Sequence, residues 1–451
     1  SIESNITDVD YAIFQKGLAL GVINKFDEKI QNLNKLLASW PNSAFTDDAL
    51  YEIGESYLSQ QQHEKAISSF QGIVNTYPNS SYVSKALVKL GLVYYNTDKP
   101  QESLKLYKKV VSNYPGSEDA QSALKGIKNI YVDMNNIDAY FNYVNNLGDF
   151  AKVDLKEQDS LSYITAEKLY MSGDCENSSD GFKKYIEKFK EGSFILDAHF
   201  YKGDCNYRLK QYDEALKSFD YVIGKPKNIY TEQALLGASR IKFKLEDYPA
   251  AINYYNKLEE VTEIKSNLLE ARIGLMRCYY FLDDFTNAVN AAKKVINTEK
   301  IPAATERESR FILAKSLYAG DRMMLALEEF KKVAVEVNSN EGAESKFRIA
   351  EIYYKRGDLE KAEKEIFDFT EKTTPHQYWM AKSFILWSDI FAERDDYFQA
   401  IQTLQSIIDY YENSEDGIIS LAKEKKEKLV KKQQAAGQNN EQQDMEVNVE
   451  E

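Results

Sequence analysis

The stretch ISSFQGIVNTYPNSSYVSKALVKLG, Ile67–Gly91, is followed by a close variant, SLKLYKKVVSNYPGSEDAQSALKGI, Ser103–Ile127, and preceded by WPNSAFTDDALYEIG, Trp40–Gly54. Aligned on their prolines, the three place Pro41, Pro78 and Pro115 at steps of 37 residues, and Gly17, Gly54 and Gly91 keep the same step. Two residue types on one step make a period and not a chance recurrence of Tyr-Pro. A period of this length marks a stack of supersecondary units, each too small to bury its own apolar face. Later units lose the proline but keep a second rule, a small residue followed twelve positions on by Ala or Ser. It holds at Gly54/Ala66, Gly91/Ser103, Ala166/Ser178, Gly203/Ala215, Ser239/Ala251, Ala314/Ala326, Ala350/Ala362 and Ser388/Ala400. With Tyr140 as a decayed member and Ala288 as the partner of Met276, the second residue advances by 36 to 38 per unit, giving eleven units across about residues 10–417.

Each unit reads as two helices. In DDALYEIGESYLSQ, Leu50, Ile53, Gly54 and Tyr57 recur at helical spacing and mark one apolar face. In EKAISSFQGIVNTY, Ala66, Phe70 and Ile73 do the same, and Pro78 stops the helix because it has no N–H to donate. Between the two lies a break, commonly Gly-Asp, as at Gly173-Asp174, Gly320-Asp321 and Gly357-Asp358. There the glycine is expected to close the first helix in a left-handed conformation and the aspartate to cap the next. The small pair is expected at the helix crossing, where a missing side chain lets two antiparallel helices approach.

These residues resemble the tetratricopeptide repeat family: a small residue, an alanine twelve on, an aromatic four beyond it and a proline eight beyond that, as in Gly54, Ala66, Phe70 and Pro78. The resemblance covers roughly nine-tenths of the chain and implies an all-α fold, a right-handed superhelical solenoid of about eleven antiparallel helix pairs. The unit is about three residues longer than the usual one. It also carries Leu36, Ile73, Val110, Val222, Leu258, Val295, Val333, Phe369 and Ile407 where the family usually has alanine. Larger side chains there are expected to push successive hairpins apart. The longer form, with its Tyr-Pro-x-Ser end, looks like the repeats of bacterial outer-membrane assembly lipoproteins and periplasmic coordinators of cell division. That narrower likeness rests on the first three units and points to the periplasm or outer membrane, with the cytoplasm as the alternative.

The expected organisation is repeats over residues 1–120, a degenerate unit over 121–158, repeats over 159–417, a capping helix over 418–432 and a disordered acidic tail over 433–451. The degenerate unit lacks both small-residue marks, which makes it the expected place for a bend or junction. Composition agrees with a helical array: 32 Tyr and 43% apolar residues, but only 8 Pro and 20 Gly. A net charge of -14 speaks against nucleic acid, whose binding needs clustered Lys and Arg. No apolar run approaches the ~18 residues a membrane span requires. The chain opens at Ser1 with no signal-like segment, so processing or removal of preceding residues is expected.

Little in the sequence suggests catalysis. No phosphate-cradling glycine loop, zinc-protease helix motif or nucleophile elbow is present, and no cofactor, metal or catalytic residue is expected. His63, His199 and His376 fall in different units, and Cys175, Cys205 and Cys278 form neither a close pair nor an even framework. The Arg356-Gly357-Asp358 tripeptide occupies the same break as Gly173-Asp174, and reads as a turn.

The remaining candidate is surface. The resemblance implies that first helices line a concave groove suited to a protein or extended peptide. One groove position reads Tyr95, Tyr170, Tyr207, Phe243, Tyr280, Tyr318 and Tyr354 down the chain, an aromatic ladder that serves either packing between first helices or recognition. Another reads Glu55, Leu92, Asn129, Glu167, Asp204, Arg240, Arg277, Lys315, Glu351 and Asp389. Its three consecutive bases, Arg240, Arg277 and Lys315, are either a solvated stripe or a grip for a partner's carboxylates. The expected function is a non-enzymatic scaffold binding protein or peptide in this groove; the alternative is a module gated by a small peptide or glycan.

Overall fold

The computed structural model describes residues 8–447, with side chains described through residue 435. Among these residues there are 23 α-helices, one short 3₁₀ turn and no strand. Twenty-two of the helices form eleven successive hairpins. The chain divides into two compact units, Ser1–Ser218 and Phe219–Glu451.

The first unit holds α1 (Val9–Val22) with α2 (Phe26–Ser39), α3 (Thr46–Ser59) with α4 (His63–Thr76), and α5 (Val83–Asn96) with α6 (Pro100–Asn113). It continues through α7 (Glu118–Asp133) with α8 (Ile137–Asn145), α9 (Leu155–Met171) with α10 (Cys175–Lys188), and α11 (Ile195–Arg208) with the first part of α12 (Tyr212–Ile223). The second holds α13 (Thr231–Lys244) with α14 (Tyr248–Val261), α15 (Lys265–Phe281) with α16 (Phe285–Ile296), and α17 (Ala303–Ala319) with α18 (Met323–Val333). It ends with α19 (Asn340–Lys355) and α20 (Leu359–Thr370), α21 (Gln377–Glu393) and α22 (Tyr397–Tyr410), and the single helix α23 (Ile418–Val447).

Within each unit the same side-chain fit recurs. A Cβ on Gly54 would stand 2.6 Å from the Phe70 ring, and one on Gly91 would stand 2.6 Å from the Tyr107 ring. The small residue of the first helix is therefore the floor for an aromatic ring of the second. The partner of the small pair sits directly above it: Ser103 Oγ donates to the Gly91 carbonyl at 2.7 Å, and Ser178 Oγ to the Ala166 carbonyl at 3.1 Å. The larger residues that replace the family's alanine, among them Leu36, Ile73, Val110, Val222, Leu258, Val295 and Phe369, are fully buried. Each contributes about 1.5–3 kcal/mol of apolar burial to a stack whose hairpins have no separate cores.

The turn inside every hairpin passes through one left-handed residue: Asn24, Gln61, Asp98, Asn135, Gly173, Lys210, Glu246, Asp283, Asp321, Gly357 and Asp395. The expected glycine closure holds at Gly173 and Gly357, but at Gly320-Asp321 it is Asp321 that takes φ +58°. Asp and Asn tolerate this region because their short polar side chains bond locally. Capping by the next aspartate holds at Asp174, Asp284 and Asp396, which accept from the backbone N–H groups of Asn177, Asn287 and Gln399. Asp358 makes no cap bond and pairs with Lys361 at 2.6 Å.

The degenerate unit over 121–158 departs from its neighbours by shortening. α8 has 9 residues against 14 in α6, and the chain then turns through Gly148 at φ +87° into the 3₁₀ turn Asp149–Ala151. Tyr140, standing where other units have a small residue, is buried beside Tyr131 and Phe141. These residues stay within the first unit, because Ile137, Phe141, Val144 and Val153 continue the core of α5–α7. The two compact units meet in sequence at Ser218/Phe219, inside α12. At the other end the single helix α23 runs from Ile418 to Val447. Residues 448–451 of the expected acidic tail lie outside the described residues.

Candidate interaction surface

In the second unit the first helices α13, α15, α17, α19 and α21 lie side by side, and this shared face carries Arg240, Phe243, Arg277, Tyr280, Lys315, Tyr318 and Tyr354. In the first unit the corresponding face carries Tyr170 and Tyr207 on α9 and α11. The rings of Tyr170, Tyr207, Phe243, Tyr280, Tyr318 and Tyr354 are all half-buried.

The three bases are engaged within the chain. Arg240 holds Glu270 of the next first helix with two bonds, 2.5 and 2.6 Å, and Arg277 holds Glu308 with two, 2.6 and 2.7 Å. Lys315 lies 3.2 Å from Glu344. Each base, expected as a solvated stripe or a grip on a partner, is tied to a glutamate one hairpin further on. Planar guanidinium and carboxylate groups match edge to edge, which fixes the spacing of adjacent first helices. Glu308 raises the Arg277 pKa by hydrogen bonding, against the burial that opposes it. A grip on a partner's carboxylates would have to compete with these partners.

Several ladder hydroxyls reach the next hairpin in the same way. Tyr170 donates to Asp204 at 2.8 Å and accepts from Arg208 at 3.1 Å, while its ring lies 4.5 Å from that of Tyr201. Tyr354 donates to Glu393 at 2.5 Å, Tyr318 accepts from Lys355, and Tyr95 donates to Asp133. Burial, followed by the hydrogen-bonded carboxylate, pushes the Tyr170 and Tyr354 hydroxyls well above the usual phenol range. Tyr207 instead has its ring near that of Tyr212, 6.3 Å away.

Phe243 and Tyr280 belong to a different arrangement. With Tyr248, Phe281 and Phe311 they line an open hollow of about 570 Å³, with the Arg277–Glu308 pair in its wall. Tyr248 stacks on Phe281 at 5.2 Å and 23°, and Phe243 meets Tyr248 at 5.6 Å and 61°. Phe281 remains 52% exposed, an uncommon position for a phenylalanine already flanked by rings. Reading the ladder alone missed Tyr248, Phe281 and Phe311. Phe281 was within reach, since it is adjacent to Tyr280 at a second groove position of the unit.

No group of three or more His, Cys, Asp or Glu able to hold a metal ion occurs among the described residues. His376 Nε2 lies 3.0 Å from the Asn338 carbonyl, holding a loop. The three cysteines are free and buried, and no described helix is long and apolar enough to cross a membrane.

A family model described as tetratricopeptide repeat matches residues 48–80, 85–117 and 377–414, and a second of the same description matches 172–228. The first three segments coincide with the hairpins α3/α4, α5/α6 and α21/α22, and the fourth spans α10–α12, so the segments that match tetratricopeptide repeats are helical hairpins of this fold. Among solved structures, a tetratricopeptide repeat protein from Parabacteroides merdae is 17% identical with a TM-score of 0.33, over 59% of this chain and 99% of its own. Yeast Tom70 is 12% identical with a TM-score of 0.31, over 97% of each chain. The C-terminal part of a repeat-containing protein from Cytophaga hutchinsonii is 17% identical with a TM-score of 0.29, over 65% of this chain and 97% of its own. No curated protein matches the chain.

Proposed function

We propose that this repeat-built chain is a non-enzymatic scaffold that holds an extended protein segment along the face of its first helices, with the aromatic hollow of the second unit as its main anchor point. The observation that carries this reading is Phe281, half exposed among Phe243, Tyr248 and Tyr280 in a hollow of about 570 Å³. Rigid rings in an open concavity bury a partner's apolar side chain at small entropic cost, the usual composition of a binding hot spot. The ion pairs beside it, Arg240–Glu270 and Arg277–Glu308, keep the neighbouring helices at fixed spacing. They preorganise the hollow rather than gripping the partner.

The test is capture of proteins from envelope and soluble fractions of the source cell by the immobilised chain and by a chain with Phe243→Ala, Tyr280→Ala and Phe281→Ala. A protein retained by the first and lost by the second, with helical content unchanged, supports the anchor; equal retention removes it. The Tyr-Pro form of the first three units favours a bacterial envelope setting, and enrichment of the captured protein in the envelope fraction is the outcome that reading requires.

A second reading, a module gated by a small peptide or glycan, is favoured by one feature of the first unit. Beside the shortened α8 an open cleft of about 400 Å³ is lined by Asn135, Asn136, Ser162 and Asn177, with Phe189 at its edge. Amide and hydroxyl groups around an aromatic edge suit a polar ligand. A change in hydrodynamic radius on adding an oligosaccharide or short peptide would favour gating over scaffolding.

A further inference from the structure

Among the described residues no second helix folds back on α23, as one does on each preceding first helix. α23 packs on α22 and touches α21, the arrangement each first helix makes with the preceding hairpin. The place such a second helix would take is an open groove of about 450 Å³ between the outer side of α22 and α23. Its apolar floor is Ile408 and Val430, both only partly covered, and its rim carries Gln405, Lys423, Lys426 and Lys431.

The groove is also where the chain's charge reverses. Against a net -14, the ten residues Lys423–Lys432 hold six lysines and two glutamates. Some of these are committed: Lys425 binds Asp389 at 2.5 and 2.6 Å, Lys428 binds Glu424 at 2.5 Å, and Lys426 donates to Gln405. Lys423 and Lys431 are exposed on the rim with no partner among the described residues, and Glu427 is the one carboxylate lining the groove. A groove with an apolar floor and a lysine rim between two helices selects by shape for a helix and by charge for an acidic one.

We infer that the groove between α22 and α23 receives an acidic amphipathic helix of a partner protein, which completes a twelfth hairpin. The apolar stripe of that helix lies on Ile408 and Val430, and its carboxylates meet Lys423, Lys426 and Lys431. This site is separate from the aromatic hollow, and neither depends on the other. A flat anionic surface could meet the lysines but not the recessed floor, which is why a helix is favoured over a membrane.

The test uses the full chain and a fluorescent synthetic helix with leucines on one stripe and glutamates elsewhere, read by anisotropy. The control helix keeps the leucines and replaces each glutamate by lysine. The expected result is saturable binding of the glutamate helix, weakened at least about tenfold by Lys423→Glu, Lys426→Glu and Lys431→Glu together and by Val430→Asp alone, and falling as salt rises. Circular dichroism of both variants separates lost binding from lost folding; if Val430→Asp unfolds, the charge variant decides. No binding of the glutamate helix, equal binding of the lysine helix, or binding indifferent to both variants overturns the inference. Lysine-dependent sedimentation with phosphatidylserine vesicles in the absence of peptide binding would make the patch a membrane contact, and a dimer abolished by the charge variant would make a second copy the occupant; either also overturns it.

Discussion

The ring of Tyr107 lies against Gly91 so closely that a Cβ on the glycine would stand 2.6 Å from the ring edge. Gly126, in the first helix of the next hairpin, meets the other edge of the same ring, where its Cβ would come within 2.4 Å. One tyrosine thus fills the junction of two hairpins because two glycines leave it room. The same fit recurs in the second unit, where Tyr255 lies over Gly274 with a projected approach of 2.3 Å.

Replacing Gly91 by alanine should therefore destabilise the chain although alanine is the better helix former. Forcing a methyl into a packed ring costs about 1–3 kcal/mol, against about 1 kcal/mol gained in helix propensity. The expected net loss runs up to about 2 kcal/mol. Gly72→Ala is the control, since its Cβ would meet only Leu50 at ordinary contact distance, 3.8 Å. Urea unfolding of the two variants checks the difference, and an unchanged or raised midpoint for Gly91→Ala would refute the ring-on-glycine account.

Substituting Arg240, Arg277 and Lys315 together by alanine is expected to weaken the second unit itself. Glu270, Glu308 and Glu344 would each lose a cation, although Glu344, 4% exposed, keeps Arg348 at 3.2 Å. Partly exposed pairs contribute about 0.2–1 kcal/mol each, so the triple variant should lose on the order of 1–3 kcal/mol. Arg277→Ala, Glu308→Ala and their double variant measure the pair directly. A coupling energy indistinguishable from zero in thermal or urea unfolding would mean that the pair fixes nothing.

The periodic part of this structure was open to sequence reading because each hairpin repeats one packing problem. Ala66, Phe70, Ile73 and Gly54 sit at spacings only a helix pair satisfies, and the residue equivalent to Ile73 is buried in unit after unit. What escaped was pairwise and distant. Nothing local in the sequence of Arg240 reveals that Glu270 is its partner, because the match depends on how far one hairpin is displaced from the next. The place of Phe281 beside Tyr280 was readable, but its contacts with Tyr248 and Phe243 in the preceding hairpin were not. Asp321 rather than Gly320 took the left-handed turn because either residue suits it, and the helix register decides.

Acid should act on the pair Lys346–Asp368, which joins α19 to α20 at 2.5 Å. The hydrogen bond from Lys346 holds the Asp368 carboxyl below its ordinary value, over the opposing effect of burial. A carboxyl depressed in the folded state binds fewer protons there than in the unfolded chain. Its stabilisation is fully present above the unfolded value of about 3.9 and is lost as pH falls through the lower folded value. Asp368→Asn should lower the melting temperature at pH 7 and narrow the gap to the parent chain below about pH 4. A gap that stays constant between about pH 7 and pH 3 would assign the loss to packing.

Cys175, Cys205 and Cys278 should be silent as thiols in the folded chain. All three are buried, and burial pushes Cys205 and Cys278 up to about 12, with the neighbouring Cys175 adding to the effect at Cys205. The thiolate is the reactive form, so at about pH 8 only a minute fraction of either is available, and access is closed as well. A chromogenic disulfide reagent should titrate essentially no thiol in the native chain and all three in denaturant. Cys175 is the informative exception: at 8% exposed, at the start of α10, it should be the first to react as the native chain opens. Mass mapping of the first labelled peptide checks this, and earlier labelling of Cys278 would place the first opening in the second unit instead.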